Sequence, residues 1–137
     1  MSARKGSQAM QVVAGVVWSG GRYLGVRRPE GKRHAGLWEF PGGKVEPGET
    51  HLEALVRELR EELAIEVREA DFWKEKTHTY PDFTVNLSFF HIHVFKGFPR
   101  PLEGQGLRWL APSEGLALPF LAADRDIVEE LAALRGV

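Results

Sequence analysis

The sequence has no cysteine, no long apolar run and no dominant sign of charge. Without cysteine, disulfide bridges, thiolate nucleophiles, zinc–thiolate sites and iron–sulfur clusters are excluded. No segment approaches the roughly 20 consecutive apolar residues that a membrane-spanning helix needs. The 18 Lys and Arg residues and the 19 Asp and Glu residues nearly cancel. Binding of a polyanionic ligand would therefore require local basic residues or a bound metal ion.

The length of the chain predicts one domain, because 137 residues can bury a core without covalent staples. Residues 1–9 are polar and lack the apolar core of a secretory signal. We interpret residues 1–9 as a disordered leader and residues 10–137 as a single domain. The lack of cysteine fits a reducing compartment, and we expect a cytoplasmic protein.

Strand-like segments are interleaved with two helix-like segments, and no βαβ unit repeats. This order predicts an α/β or α+β fold with a mixed β-sheet sandwiched between helices. A change of phase at Phe89-Phe90 indicates a bulge, and Gly136 would cap the last helix. Residues 29–47, rich in Gly, Pro and charge, are interpreted as a long loop. The predicted strands are residues 10–18, 22–27, 66–79, 83–95 and 107–110, and the last helix is residues 123–134.

Residues 50–63 carry the clearest helix signal. Thr50 and Glu53 form a capping box, and apolar residues at helical spacing make one stripe that would face a core. Glu58, Glu61 and Glu62 lie on another face within one turn of each other. Their mutual repulsion and the helix dipole both disfavour three anions at the C-terminal end. A hard divalent cation such as Mg²⁺ or Mn²⁺ would neutralise them.

A solvated acidic face, partly offset by Arg57 and Arg60, is the alternative interpretation and is common on Glu-rich helices. The segment in front of the helix favours a site instead. There Pro41-Gly42-Gly43 provides glycines, which let the backbone approach a ligand so closely that amides or carbonyls contact phosphate or metal.

The spacing of these residues is similar to that of the Nudix box. Gly43, five residues, Glu49, seven residues and then Arg57-Glu58-Leu59-Arg60-Glu61-Glu62 match its glycine, glutamate and REUXEE hexapeptide, where U is apolar. Ala64 departs from the pattern, since the family has glycine there. Residues 37–46 resemble the MutT-type branch, which sanitises oxidised nucleotides, and the likeness extends over nearly the whole chain. The resemblance implies the Nudix fold.

The resemblance also implies a chemistry. It indicates a Mg²⁺-dependent hydrolase, with Mn²⁺ as a substitute, that cleaves a nucleoside triphosphate to the monophosphate and pyrophosphate. Arg57 would orient the glutamates through a salt bridge and Glu49 would support that network. Glu103 matches a family carboxylate that binds metal or acts as a base, although a solvated loop glutamate is the alternative. The implied metal ligands are Gly42 (through its carbonyl), Glu58, Glu61, Glu62 and Glu103.

Phosphate and base contacts are expected on the flanking loops. Arg27 or Arg28, at the end of the second strand, could pair with phosphate, and Arg28 matches the family better; a surface arginine is the alternative. Aromatic residues near the site could stack on a base, although core packing is the alternative for each. The candidate substrate-binding residues are Arg28, Trp38, Glu39, Phe40, Tyr80 and Asp124.

Asp124 stands where the MutT-type enzyme uses an asparagine to recognise oxidised guanine. An ionised aspartate only accepts hydrogen bonds, so it could accept from guanine N–H groups or from a cytosine amino group, and relatives resembling a CTP pyrophosphohydrolase also have Asp there. A helix N-cap is the alternative role. The substrate therefore stays open between an oxidised nucleotide such as 8-oxo-dGTP and CTP or a broad (d)NTP range. A non-catalytic nucleotide-binding module is a third hypothesis, but such modules typically lose the glutamates.

The histidines give weaker signals. His91 and His93 lie two apart on one strand face and could bind metal, but no third ligand is near in sequence, which favours ordinary polar-face residues. His51 shares a helical face with Glu58 and Glu62 and could touch substrate, with solvent exposure as the alternative. We expect a small nucleotide as the partner, no polymeric nucleic acid, no membrane, and a monomer or weak dimer.

Overall fold

A mixed seven-stranded sheet forms the middle layer of the computed structural model, which describes residues 9–134. Two α-helices cover its two faces. The strands are β1 (Met10–Ser19), β2 (Arg22–Arg27), β3 (Trp38–Glu39), β4 (Gly42–Lys44), β5 (Glu66–Thr79), β6 (Thr84–Lys96) and β7 (Gly106–Leu110), and the helices are α1 (His51–Leu63) and α2 (Arg125–Leu134), with 3₁₀ turns at Glu114–Ala117 and Ala122–Asp124.

β1 is the central strand and divides the core in two. It pairs in parallel with β6 along most of its length and antiparallel with β2 and β4. Because side chains alternate along a strand, Val13 and Val17 pack with α1, while Ala14 and Val16 pack in the cluster that includes α2. The predicted mixed sheet between helices is confirmed.

α1 begins one residue after the predicted start. Thr50 is its N-cap, accepting from the backbone N–H of Glu53 at 3.0 Å, while the Glu53 carboxylate accepts from the Thr50 N–H at 2.9 Å. The helix ends at Ala64, which adopts the left-handed conformation at φ 60° and donates to the Arg60 carbonyl. Alanine thus adopts the conformation that glycine favours at helix ends, and Ile65 is fully buried immediately after it.

Two details differ from the sequence-based expectations. The segment 29–47 is not one loop, because β3 and β4 lie within it and β4 pairs with β1 through Ala14–Gly42 and Val13–Gly43. The phase change at Phe89-Phe90 reflects burial on both faces, since these two rings enter opposite cores. The accompanying bulge lies in the partner strand, where Trp73 is the extra residue.

The predicted leader falls almost wholly, and the proposed cap Gly136 entirely, outside the described residues. Within residues 9–134, neither α-helix is long and apolar enough to span a membrane.

Candidate active site

A cleft of about 680 Å³ opens beside the N-terminal half of β1, between the loop after β2 and the start of α2. Acidic and basic groups share its walls. Its lining includes the acidic residues Glu39, Glu62, Glu103 and Asp124, the basic residues Arg28, Lys32, Arg33, His34 and Lys44, and the aromatic residues Phe40, Tyr80 and Phe83.

Two glycines let a strand pass close to the acidic helix. A side chain at Gly42 would collide with the backbone carbonyl of Val13, and one at Gly43 would lie within 2.5 Å of a carboxylate oxygen of Glu58. Glycine at these positions therefore allows β4 to lie directly against β1 and against the carboxylate of α1.

Arg57 holds the glutamates around α1 in one network. Its guanidinium donates to both carboxylate oxygens of Glu49, at 2.6 and 3.0 Å, and to Glu58 at 3.1 Å and Glu61 at 3.2 Å. It also donates to the carbonyl of Lys44 at 3.0 Å, which ties β4 to the helix. The guanidinium thus forms a salt bridge with Glu58, and its orienting role, which the resemblance implies, stays a prediction.

Glu62 is the most perturbed acid of the site. Burial raises its pKa, and the neighbouring charges of Glu58, Glu103 and Glu39 raise it further, to about 9. Glu61 differs, because its side chain is 56% exposed and it bonds to Arg57. Of the predicted triad, the structure therefore brings Glu58 and Glu62 together and leaves Glu61 at the margin.

The donor set suits a hard divalent cation. Glu58, Glu62 and Glu103 offer only oxygen, as does the carbonyl of Gly42, and oxygen ligands are the preference of Mg²⁺ and Mn²⁺. A cation would also offset the burial and the neighbouring negative charges that raise the pKa of Glu62. Within residues 9–134, no three acidic or histidine side chains converge closely enough to hold an ion as they stand.

Gln105 connects the Glu103 loop to α1. Its amide nitrogen donates to the carbonyl of Glu62 at 3.1 Å, and its amide oxygen accepts from the N–H of Glu103 at 2.8 Å. Gln105 itself is buried. The loop that carries Glu103 is therefore fixed against the end of the acidic helix.

Arg28 lines the cleft and is already paired there, and its contact with phosphate stays a prediction. It bonds to both oxygens of Glu39, at 3.0 and 3.2 Å, and to the carbonyl of Arg33 at 2.7 Å. Burial raises the pKa of Glu39 while Arg28 opposes that rise. Arg27 lies outside the cleft lining, near Gly36 and Gly106.

Asp124 also lines the cleft and is almost fully buried. Burial raises its pKa, as does the charge of Glu39, to about 7, although the N–H of Phe40 and the charge of Lys76 oppose the rise. The N-cap interpretation does not fit the geometry, because the helical path already begins with the 3₁₀ turn Ala122–Asp124. Tyr80 lines the same cleft, and burial, Asp124 and Glu39 raise its pKa.

The other two aromatic candidates, Phe40 and Trp38, differ in their distance from the cleft lining. Phe40 borders the cleft but is 4% exposed and packs among Tyr23, Phe89 and Phe120. Trp38 does not line the cleft, because its indole packs over Gly25 in the core. Substrate contact by Trp38 therefore has no support from its position.

The three histidines that the sequence analysis weighed lie outside the cleft lining. His91 accepts a hydrogen bond from the indole N–H of Trp18 at 2.9 Å and stacks with His93, so both belong to an aromatic cluster. His51 pairs with Gln11 at 3.3 Å. The cleft residues that the sequence did not single out are Lys32, Arg33 and His34, whose signal is three consecutive basic residues in a Gly-containing loop.

Comparison with known proteins agrees with this architecture of a mixed sheet between helices and an acidic helix at a cleft. The model of the NUDIX domain matches residues 12–130. The CTP pyrophosphohydrolase of Escherichia coli (strain K12) is 40% identical over 127 residues, which cover 93% of this chain and 94% of that protein. The 8-oxo-dGTP diphosphatase of the same strain is 30% identical over 126 residues, 91% and 98% of the two chains.

Comparison with solved structures supports the same family. The solution structure of the E. coli ORF135 protein superposes with a TM-score of 0.83 at 40% identity, covering 95% of this chain and 94% of that one. The chain therefore belongs to the Nudix family, as a MutT-like hydrolase of nucleotide pyrophosphate bonds. Enzymes of this family generally use divalent metal ions and act on small nucleotides.

Proposed function

We propose that this protein hydrolyses nucleoside triphosphates to nucleoside monophosphates and pyrophosphate, with Mg²⁺ as its metal and Mn²⁺ as a substitute. The observation that carries the proposal is the environment of Glu62, which lines the cleft together with Glu103. Burial, and then the negative charges of Glu58 and Glu103, raise its pKa to about 9. Divalent cations would relieve this repulsion and balance the charge of a triphosphate. Nucleoside triphosphates are used in the cytoplasm, where we expect the enzyme to act as a monomer or weak dimer.

Bound divalent ions supply charge neutralisation of the phosphates and activation of water. Arg57 would keep the carboxylates oriented, and Glu103, on its tethered loop, would bind metal or take the proton of the attacking water. Glu61 would have to exchange its bond with Arg57 to join the metal ligands. The proposed ligands are Gly42 (through its carbonyl), Glu58, Glu61, Glu62 and Glu103.

The basic loop at the mouth of the cleft supports binding of the phosphate chain. Arg28, Lys32 and Arg33 line the same cavity as Glu62, so phosphates could lie between these cations and the metal site. Arg28 would then exchange part of its pairing with Glu39 for a phosphate, a group that guanidinium binds in a bidentate manner.

The base would lie between Tyr80 and Asp124. A cytosine nucleotide is the first candidate, because an ionised Asp124 only accepts hydrogen bonds and could accept from the cytosine amino group. An oxidised guanine nucleotide such as 8-oxo-dGTP is the second. A pKa near 7 for Asp124 leaves much of it protonated at neutral pH, so that one oxygen donates while the other accepts, as an asparagine amide does.

The test is a hydrolysis screen of the purified full-length chain over CTP, dCTP, dGTP, 8-oxo-dGTP and the other common triphosphates. Pyrophosphate and orthophosphate are quantified separately, with Mg²⁺, with Mn²⁺ and with EDTA. We expect pyrophosphate release that requires a metal ion and stops in EDTA. Turnover in metal-free buffer, or orthophosphate as the first product, would contradict the proposal.

Glu58→Gln and Glu62→Gln serve as controls that keep the size of the side chain. Glu58→Gln removes an anion from a repulsive cluster, and Glu62→Gln replaces a carboxyl group whose ionisation is disfavoured by burial, so the fold should survive. In both variants kcat should fall by at least about tenfold, equivalent to roughly 1.4 kcal/mol of barrier. Nucleotide binding without turnover in the wild-type protein would instead support a non-catalytic module.

A further inference from the structure

Asp124 is held in place by elements other than its own helix. It is the last residue of the 3₁₀ turn Ala122–Asp124, whose preceding residue, Leu121, makes no side-chain cap. The backbone N–H of Phe40, next to β3, favours the ionised form of its carboxylate by lowering its pKa. The location of this carboxylate in the cleft therefore depends on how the start of α2 is fixed to the sheet.

The backbone N–H of Leu121 donates to the carbonyl of Trp38 in β3 at 2.9 Å, and Lys76 of β5 provides a side-chain attachment on the other side of the turn. Its ammonium donates to the carbonyl of Ala123 at 2.8 Å and to the carboxylate of Asp126 at 2.5 Å. These two acceptors flank Asp124 along the chain. The Lys76 side chain is 18% exposed, and hydrogen bonds from an ammonium group are stronger than neutral ones, particularly away from bulk water.

A second lysine on the same strand makes a similar link that does not reach Asp124. Lys74 lies two residues earlier in β5 and donates to Glu130 at 2.5 Å. Glu130 is four residues beyond Asp126, one turn further along α2. Both lysines thus join β5 to α2, but only Lys76 contacts the turn that carries Asp124.

We propose that Lys76 is a positioning residue for base recognition, because it fixes the turn that places the Asp124 carboxylate in the cleft. The inference rests on the proposed function, in which Asp124 faces the base. Lys76 itself does not line the cleft, so it acts through Asp124 and does not touch the substrate. Its positive charge also favours the ionised form of Asp124, the form that accepts from a cytosine amino group.

The experiment compares Lys76→Met with Lys74→Met in steady-state kinetics over the nucleotide panel. Lys76→Met loses an ammonium with two hydrogen bonds and Lys74→Met an ammonium with one, so both should lower the melting temperature, Lys76→Met by somewhat more. Lys76→Met should raise KM for the best substrate by about tenfold and reduce discrimination between bases, with kcat within about threefold. Lys74→Met should leave KM and the substrate ranking within about twofold of wild type.

Because the chain has no cysteine, the ammonium can be restored chemically. Lys76→Cys provides a single thiol, which 2-bromoethylamine converts to an aminoethyl thioether of nearly the length of lysine. The unmodified variant should behave as Lys76→Met, and alkylation, verified by mass spectrometry, should restore KM and the ranking. A purely structural contribution would move the melting temperature alone.

The double variant Lys76→Met with Asp124→Ala separates the two proposals. If Lys76 acts through Asp124, the double variant should show the KM and ranking of Asp124→Ala alone. Additive effects of the two substitutions on KM would overturn the inference about Lys76. So would an unchanged substrate ranking in Lys76→Met when Asp124→Ala alters that ranking, and neither result would affect the proposed function. Absence of metal-dependent triphosphate hydrolysis in the wild-type protein would overturn the proposed function itself.

Discussion

The carboxylate of Glu58 fills the space that a side chain at Gly43 would need, and the nearest of its oxygens would lie 2.5 Å from the Cβ of residue 43. Gly43 has no positive φ, so alanine would be acceptable to the backbone, and the three atoms nearest to its methyl group would all belong to the Glu58 carboxylate. We therefore expect Gly43→Ala to reduce kcat by about tenfold or more, with a small change in melting temperature. Steady-state hydrolysis and thermal unfolding measure the two effects.

The control for this prediction is the double variant Gly43→Ala with Glu58→Gln. If displacement of Glu58 is the whole effect, the double variant should be no slower than Glu58→Gln alone. Multiplicative losses would show that Gly43 contributes independently, for example through its backbone.

Arg57 makes contacts that lysine cannot reproduce together. Its planar guanidinium bonds Glu49 through two nitrogens while also reaching Glu58 and the carbonyl of Lys44, whereas an ammonium is a point charge. Arg57→Lys should therefore lower kcat by about tenfold although the charge is kept. Arg60→Lys is the matched control, since Arg60 pairs only loosely with Glu66 at 3.7 Å. Equal losses in the two variants would contradict an orienting role for Arg57.

Local signals in the sequence predicted α1 almost to the residue. Its start depends on a capping box between Thr50 and Glu53, and its acidic face depends on helical spacing alone. Both are properties of neighbouring residues. The fold class followed in the same way from the order of strands and helices.

Contacts between distant segments were not predictable in this way. β4 consists of two glycines and a lysine, with no strand propensity of its own, and it is a strand only because β1 pairs with it. The attachment of Lys76 to Ala123 joins residues 47 positions apart. Trp38 carries the same aromatic signal as Tyr80, and only tertiary packing directs the first to the core and the second to the cleft.

Glu62 should make the stability of the metal-free protein depend on pH. Its pKa is raised from 4.5 to about 9, so the folded state binds a proton more tightly than the unfolded state. This contribution to stability is fully present below about pH 4.5 and is lost as pH rises towards 9. We expect urea unfolding in EDTA to show Glu62→Gln gaining stability relative to wild type as pH rises from 6 to 8.5.

Bound metal ions should reverse the loss of wild-type stability, relative to Glu62→Gln, that rising pH causes. Because carboxylate ligands must be deprotonated, the apparent affinity for Mg²⁺ should rise with pH over the same interval, and saturating Mg²⁺ should stabilise wild type more than Glu62→Gln. A difference between the two proteins that does not change with pH would show that Glu62 titrates near its ordinary pKa.

Asp124 offers the sharpest test of base recognition, because its two protonation states present different hydrogen-bonding groups. Burial and the negative charges of Glu39 and Asp126 raise its pKa to about 7, while Lys76 and the N–H of Phe40 lower it. As pH rises from 6 to 8 the ionised form becomes dominant, so KM for a cytosine triphosphate should fall, while KM for 8-oxo-dGTP should rise. Asp124→Asn cannot ionise and always presents one donor and one acceptor.

The Asp124→Asn substitution should therefore remove the pH dependence of both KM values and shift preference towards 8-oxo-dGTP by about tenfold. Asp124→Ala should instead flatten the substrate ranking while kcat for the best substrate stays nearly intact. Identical kcat/KM ratios across the panel in all three proteins would remove Asp124 from the base site.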